Sequence, residues 1–227
     1  MKDLSLLSQS TKQAWDILAA TWEPQKIYLA GGTALLLHLG HRVSEDLDFF
    51  TNDKDINVED FCEKLDANPD LFIEYEHKKS NSMVAYLTKD HAKISLFQLP
   101  NDLLVDKVKV IEPFNIASII DIGVMKLIAI VQRGRLRDFI DLWAIEMQTE
   151  LKVENLLLYV DKKYPYLKNV PGKKVEILKG LAYFEDARVE DMPRLLNCEI
   201  SKDELEKYWQ KRVVSLNRFL QQIETTL

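Results

Sequence analysis

Disulfide and zinc frameworks are missing from this chain. Its two cysteines, Cys62 and Cys198, stand far apart with no Cys-x-x-Cys pair and no histidine at ligand spacing. Such usage fits a reducing compartment. Glycine and proline number only 7 each in 227 residues, which excludes collagen-like and proline-rich architectures. The longest apolar run, 116–131, is broken by Asp121 and Lys126, so it falls short of the roughly 20 apolar residues of a membrane span. The first ten residues place Asp3 and several polar side chains around a short apolar patch, unlike a secretory signal, and a cytoplasmic location is expected. Basic charge is not in excess: 30 Lys and Arg against 36 Asp and Glu leave a net −6, which argues against coating nucleic acid by bulk charge and leaves room only for a local basic site. No G-x-S-x-G or Cys/His nucleophile arrangement occurs. What is present, 47% hydrophobic and 29% charged residues, suffices for a core and at most about two domains.

Periodicity predicts a helix over 7–22 ended by Pro24, a strand over 26–30, a turn at Gly31-Gly32-Thr33, and a short helix over 34–39 closed by Gly40. A strand over 46–50, a helix over 58–65 and strands over 71–76, 83–88 and 92–99 follow. Helical patterns then cover 121–132, 135–148, 153–163, 172–184 and 202–224, the last amphipathic through Leu205, Trp209, Val213, Leu216 and Leu220. Consecutive strands with short polar connections predict an α+β fold, a mixed sheet flanked by helices and followed by a helical C-terminal domain, divided as 1–115 and 116–227. The charge divides too: residues 151–227 hold 14 basic and 12 acidic side chains, whereas 1–150 hold 16 and 24.

Two constellations could carry chemistry. Glycines between a strand and a helix let a phosphate approach the backbone, and the N–H groups of the new helix favour an anion. On the strand that follows, alternation sends Asp46 and Asp48 to one face and Leu47 and Phe49 to the other. Two carboxylates so placed repel unless a divalent cation, Mg²⁺ or Mn²⁺, sits between them. Each part alone also reads as an ordinary turn or an acidic strand face; the order and the 13-residue spacing from Gly32 favour a triphosphate and metal seat. In the second constellation Lys126 lies on an apolar helix and needs a phosphate partner, a path to water past the core, or a nearby carboxylate. Asp138 and Asp141 share a face of the next helix and could orient Lys126 or an arginine, and Arg137 and Asp141 could pair at i,i+4. The stretch 162–174 holds five lysines, two tyrosines and no acid, a phosphate grip or a solvated loop. His77 and His91 read as surface or structural residues, the four tryptophans as core anchors, and the cysteines as small semi-buried residues.

Taken in order, GGTALLLHLGHRVSEDLDFF, DIGVMKLIAIVQRG and RLRDFIDLW over roughly 26–147 resemble the AbiEii/AbiGii nucleotidyltransferase toxins of type IV toxin–antitoxin systems, within the DNA polymerase beta-like superfamily. The resemblance implies a nucleotidyltransferase-like sheet and transfer of a nucleoside monophosphate from an NTP, with pyrophosphate leaving. By position, it implies that Gly31, Gly32 and Thr33 seat the phosphates, Asp46 and Asp48 hold the metal, and Lys126 contacts the triphosphate. Asp141, with Asp138 beside it, becomes the group that activates or positions the attacking hydroxyl. Ser44 becomes a pocket-shaping or phosphate-contacting residue and His41 a structural one. The acceptor implied is RNA, tRNA foremost, and a cognate antitoxin is an expected partner. One departure stands out: the superfamily's third carboxylate, from a neighbouring strand, falls at Ser95. A catalytically weak nucleotide-binding regulator, or a protein whose acidic pair only forms ion pairs, are the rival readings.

Overall fold

The structure, a computed structural model, describes residues 4–87, 91–102, 104–106 and 109–224. Helix α1 (Gln9–Thr21) starts behind Ser8, whose Oγ accepts the Thr11 N–H at 3.2 Å, and buries Ala14, Trp15 and Leu18. Strand β1 (Tyr28–Ala30) runs directly into α2 (Gly31–Leu39). The predicted Gly31-Gly32-Thr33 turn is therefore already the first turn of α2: at φ 70° Gly31 alone reverses the chain. Gly40, also left-handed, closes α2 with its N–H on the Leu36 carbonyl at 2.7 Å.

β2 (Leu47–Thr51), α3 (Val58–Asp66), β3 (Ile73–Lys79), β4 (Ser82–Leu87), β5 (Ala92–Gln98), β6 (Lys109–Ile111) and β7 (Phe114–Ile116) complete the first half. Among the described residues they form one mixed sheet in the order β3-β4-β5-β2-β1-β7-β6. β1 pairs antiparallel with β2 and parallel with β7, and β2 pairs parallel with β5. The sequence predicts five strands; β6 and β7, at three residues each, are too short to show an alternation. β3 begins later than predicted because the Leu71 N–H closes a turn on Asn68. The predicted end of the next strand at Thr88 lies outside the described residues.

α4 (Ile119–Gln132), α5 (Leu136–Gln148), α6 (Val153–Lys163), α7 (Lys173–Ala182), α8 (Glu185–Val189) and α9 (Lys202–Glu224) follow. The helix predicted over 172–184 is α7, which ends at Ala182 because Tyr183 turns extended and Phe184 buries its ring 4.8 Å from Phe139; the short α8 that follows was not predicted. α4 is tied to the centre of the sheet: β7 spans the 115/116 boundary, and Ser118 just beyond it caps α4 through the Asp121 N–H.

β2 shows why the two faces of the sheet differ. Leu47, Phe49 and Thr51 are buried, and Phe49 meets Trp22 and Phe114 at 5.6 and 4.7 Å between ring centres, under α1 and α3. Asp48 and Phe50 point the other way. α2 packs against α4 and α5 there, and one continuous apolar core joins both halves.

Candidate active site

At the N-terminus of α2 no side chain caps the free N–H groups, which leaves a place for an anion. A methyl group on Gly31 would lie 2.8 Å from Asp48 Oδ2, and one on Gly32 2.6 Å from Arg42 Nη2 and 2.8 Å from Ser44 Oγ. The two glycines thus let the acidic strand and the 42–46 segment close on the helix end. Thr33 serves this closure: it is buried, its hydroxyl donates to the Asp46 carbonyl at 2.5 Å and lies 3.0 Å from Ser44 Oγ. Ser44 is half-buried beside it.

Asp46 is 39% exposed at the mouth, and Asp48 is half-buried behind it. In parallel register with β5, Asp48 faces Ser95, whose Oγ donates to Asp48 Oδ1 at 2.7 Å. The position of the third carboxylate is thus filled by a hydroxyl bonded to the second. Burial, with Asp46 adding repulsion, raises the Asp48 carboxyl above its ordinary range, although the Ser95 bond and the cations Lys126 and Arg133 pull the other way.

Those cations belong to a network joining α2's C-terminal loop to α4 and α5. Asp141 is fully buried; its Oδ1 accepts His41 Nε2 at 2.8 Å and Arg42 Nε at 2.6 Å, and its Oδ2 accepts Arg42 Nη2 at 2.9 Å and lies 2.6 Å from Lys126 Nζ. Lys126, 5% exposed, also donates to Asp138 Oδ1 at 2.7 Å, and Arg133 grips Asp138 at 3.0 and 3.1 Å. Of the readings open for Lys126, carboxylate pairing is what the fold contains. Burial works to raise Asp141, but Arg42, Lys126 and His41 hold it well below the usual carboxylate range. Asp138 is lowered against its own burial by Lys126 and Arg133. The acceptor positions of Asp141 are taken up by His41, Arg42 and Lys126.

Arg137 does not pair with Asp141, whose oxygens are occupied; its Nη1 lies 3.6 Å from Asp46 Oδ2. Arg137, Asp46 and Ser44 border a cleft of about 590 Å³, closed on its far side by Glu190 and Arg194. That far wall comes from the segment before α9: the Val43 N–H donates to the Arg194 carbonyl and the Leu196 N–H to that of His41, both at 2.9 Å, while Glu190 Oε2 accepts the Leu136 N–H at the start of α5. Sequence reasoning missed this segment and the site-facing roles of Arg133 and Arg137. Two arginines, 135 and 137, at the N-terminus of α5 were the readable signal, because cations there oppose the helix dipole and need another reason.

The basic stretch 162–174 is largely committed to structure. Lys163 is buried on Asp121 at 2.9 Å, Lys174 pairs with Asp161, Lys173 with Glu176, and Lys162 donates to the Val105 carbonyl. Tyr164 is buried, and Tyr166 donates to Asp102. Of the five lysines, only Lys168 makes no side-chain ion pair or hydrogen bond among the described residues. His77 shares a hydrogen bond with Ser82 Oγ, Cys62 is buried, and Cys198 donates to the His41 carbonyl.

Among the described residues no three His, Cys, Asp or Glu side chains converge on a metal position. Asp46 lies near enough to repel the Asp48 carboxylate, Ser95 donates to Asp48 from behind, and Asp46 borders the open cleft. That is an oxygen-only set, suited to an ion such as Mg²⁺ that keeps several waters and takes one or two carboxylates plus substrate phosphates. The residues fit a divalent cation.

Comparison with known proteins gives the family and the fold. The profile of the AbiEii nucleotidyl transferase toxins, type IV toxin–antitoxin system, matches residues 16–223. An uncharacterised protein of Aquifex aeolicus is 32% identical over 207 residues, covering 90% of this chain and 91% of its own. A candidate nucleotidyltransferase from H. pylori shares the fold at a TM-score of 0.54 and 20% identity, over 95% of this chain and 98% of that one. So does MenT4, a nucleotidyltransferase toxin from Mycobacterium tuberculosis, at 0.57 and 18%, over 89% and 81%. With the match running from α1 to the end of α9, this chain belongs to the AbiEii family of nucleotidyltransferase toxins and is an enzyme of the transferase class.

Proposed function

We propose that the protein transfers a nucleoside monophosphate from an NTP to an RNA hydroxyl, with tRNA the first acceptor to test, and that it does so with a divalent cation, Mg²⁺ or Mn²⁺, at Asp46 and Asp48. The observation that carries this reading is the pair of carboxylates set against the uncapped N-terminus of α2, with Gly31 too close to Asp48 to admit a side chain. The N–H groups of Gly31, Gly32 and Thr33 would take phosphate oxygens. Asp46 and Asp48 would hold the cation, which supplies Lewis-acid activation and charge neutralisation.

The acceptor hydroxyl attacks the α-phosphorus in line; the new O–P bond forms as the bond to the bridging oxygen breaks, pyrophosphate carries away the electron pair, and the hydroxyl proton passes to solvent. Arg42, Lys126 and Arg133 outnumber Asp138 and Asp141, so the network presents a net positive field beside Asp48 to the charge that builds on the leaving group. In this scheme Asp141 and Asp138 hold those cations in place, and Ser44 and Thr33 hold the 44–46 segment. Arg137 and Arg194 on the cleft beside Asp46 support a polyanionic acceptor. Membership of a type IV toxin family implies an antitoxin, and no described helix is long and apolar enough to cross a membrane.

Ser95 at the third-carboxylate register favours one rival, a nucleotide-binding regulator with feeble turnover. Incubation with each α-labelled NTP, Mg²⁺ and total RNA, with Asp46→Ala as control, separates them. Label on a discrete RNA, lost in the control, is expected. Label confined to protein would replace RNA as the acceptor, and NTP binding without label would favour the regulator.

A further inference from the structure

The cations around the acidic pair are held in two different ways. Arg42 and Lys126 sit on Asp141 at 2.6–2.9 Å with side chains at most 6% exposed, and Arg133 is doubly bonded to Asp138. Arg137 is different: it reaches Asp46 at 3.6 Å, and both side chains are 39% exposed. An ion pair this long and this wet is weak and readily exchanged. Its site is nevertheless specific, because the first turn of α5 is fixed by Glu190 on the Leu136 N–H, and that turn keeps the guanidinium at the cleft.

Asp46 Oδ2 therefore has a resident counter-ion on the carboxylate that the proposed function gives to the metal. A divalent cation at Asp46 repels the guanidinium and takes over its oxygen. Released, Arg137 still lines the cleft, with its planar fork of N–H donors free to take a phosphate bidentately. Arg194 lies across the same cleft and makes no ion pair among the described residues.

We propose that Arg137 is an exchangeable counter-ion: it neutralises Asp46 while the metal site is empty and moves to a phosphate of the bound substrate when the metal displaces it. This rests on the reading of Asp46 and Asp48 as the metal site. The consequence is a pair of opposite effects that a merely structural arginine would not produce. Removing the guanidinium removes a competitor for Asp46 and also removes a phosphate ligand.

The test measures Mn²⁺ binding by electron paramagnetic resonance without nucleotide, for the wild type, Arg137→Gln, Arg137→Lys and Asp46→Asn. Binding of an α,β-methylene NTP and of a short single-stranded RNA is then measured at saturating Mn²⁺. Arg137→Gln is expected to bind Mn²⁺ about two- to fivefold more tightly, the size of an exposed ion pair. It is expected to bind one of the two phosphate ligands at least about tenfold more weakly, as for a lost charge-assisted hydrogen bond. The arm that weakens identifies the source of the phosphate. Arg137→Lys, which keeps the charge without the fork, should match wild type for Mn²⁺ and fall between the two for phosphate. Unchanged or weaker Mn²⁺ binding in Arg137→Gln overturns the exchange while leaving the metal site standing. Equal binding by wild type and Asp46→Asn overturns the metal site itself and the exchange with it. Should Arg137→Gln not fold, loss of phosphate affinity in Arg137→Lys at unchanged Mn²⁺ affinity supports the proposal, and wild-type values for both overturn it.

Discussion

Asp48 is a carboxylate that the fold places at a disadvantage, half-buried beside another acid with one hydroxyl in compensation. Its raised range means that the stability it costs is absent in acid and appears as pH rises through the folded value. Asp48→Asn keeps an acceptor for Ser95 and is expected to raise stability by about 1 kcal/mol, or about 2–4 °C in Tm, while transfer is lost. Thermal melts and the labelling assay together check this, and full activity would sink the metal assignment. Asp141 is the opposite case. Asp141→Asn leaves Arg42 an uncompensated buried charge and Lys126 with Asp138 alone, and is expected to cost about 3–5 kcal/mol in urea unfolding. Because Asp138 and Asp141 lie below their ordinary range, the stability they contribute is complete above about pH 4 and drains away on further acidification. His41, lowered by burial, acts in the same sense from a higher pH: the unfolded chain protonates near pH 6.5 before the folded one. A Tm that falls between pH 7 and pH 5 is expected, and His41→Gln, which can still donate to Asp141, should flatten that limb.

Helix ends do the positioning at the scale of elements. Gly31→Ala forces a side chain into the left-handed region and against Asp48 Oδ2, so a loss of about 1–2 kcal/mol is expected together with loss of NTP binding by calorimetry. α5 begins on Arg135, which offers no side-chain cap; Glu190 supplies one from the far wall of the cleft. Glu190→Ala should cost about 1 kcal/mol, the value of a lost N-cap, and a melt unchanged from wild type would show that the α5 turn needs no such tether. The strands and helices with clear periodicity, α1, β2, β5, α5 and α9, were legible within a residue or two, since their apolar faces are local patterns. β6, β7 and α8 were not: strands of three residues and a helix of five carry too little period to read.

Across the whole molecule, sheet and helical half are bound by one apolar core and by buried ion pairs reaching between distant segments. Arg42 on Asp141 ties the loop after α2 to α5, and within the helical half Lys163 on Asp121 locks α6 to α4. The two halves should therefore unfold together. Tryptophans 15 and 22 report the sheet side and 143 and 209 the helical half, so single-tryptophan variants are expected to give coincident urea transitions; separated midpoints would show independent domains.

The sequence by itself determined the glycine turn, the same-face placement of Asp46 and Asp48, the lysine helix and the family they resemble, because each is written in spacing along a few consecutive residues. Only the tertiary structure decided which charge answers which. Asp141 went to Arg42, about a hundred residues away, and so could not take Arg137 one turn back. Lys126 became the centre of a buried pair of aspartates, and a segment before α9 became a wall of the cleft. The physical reason is that a buried carboxylate takes the cations that burial brings within hydrogen-bond reach, and the chain's return path, not its order, sets that reach.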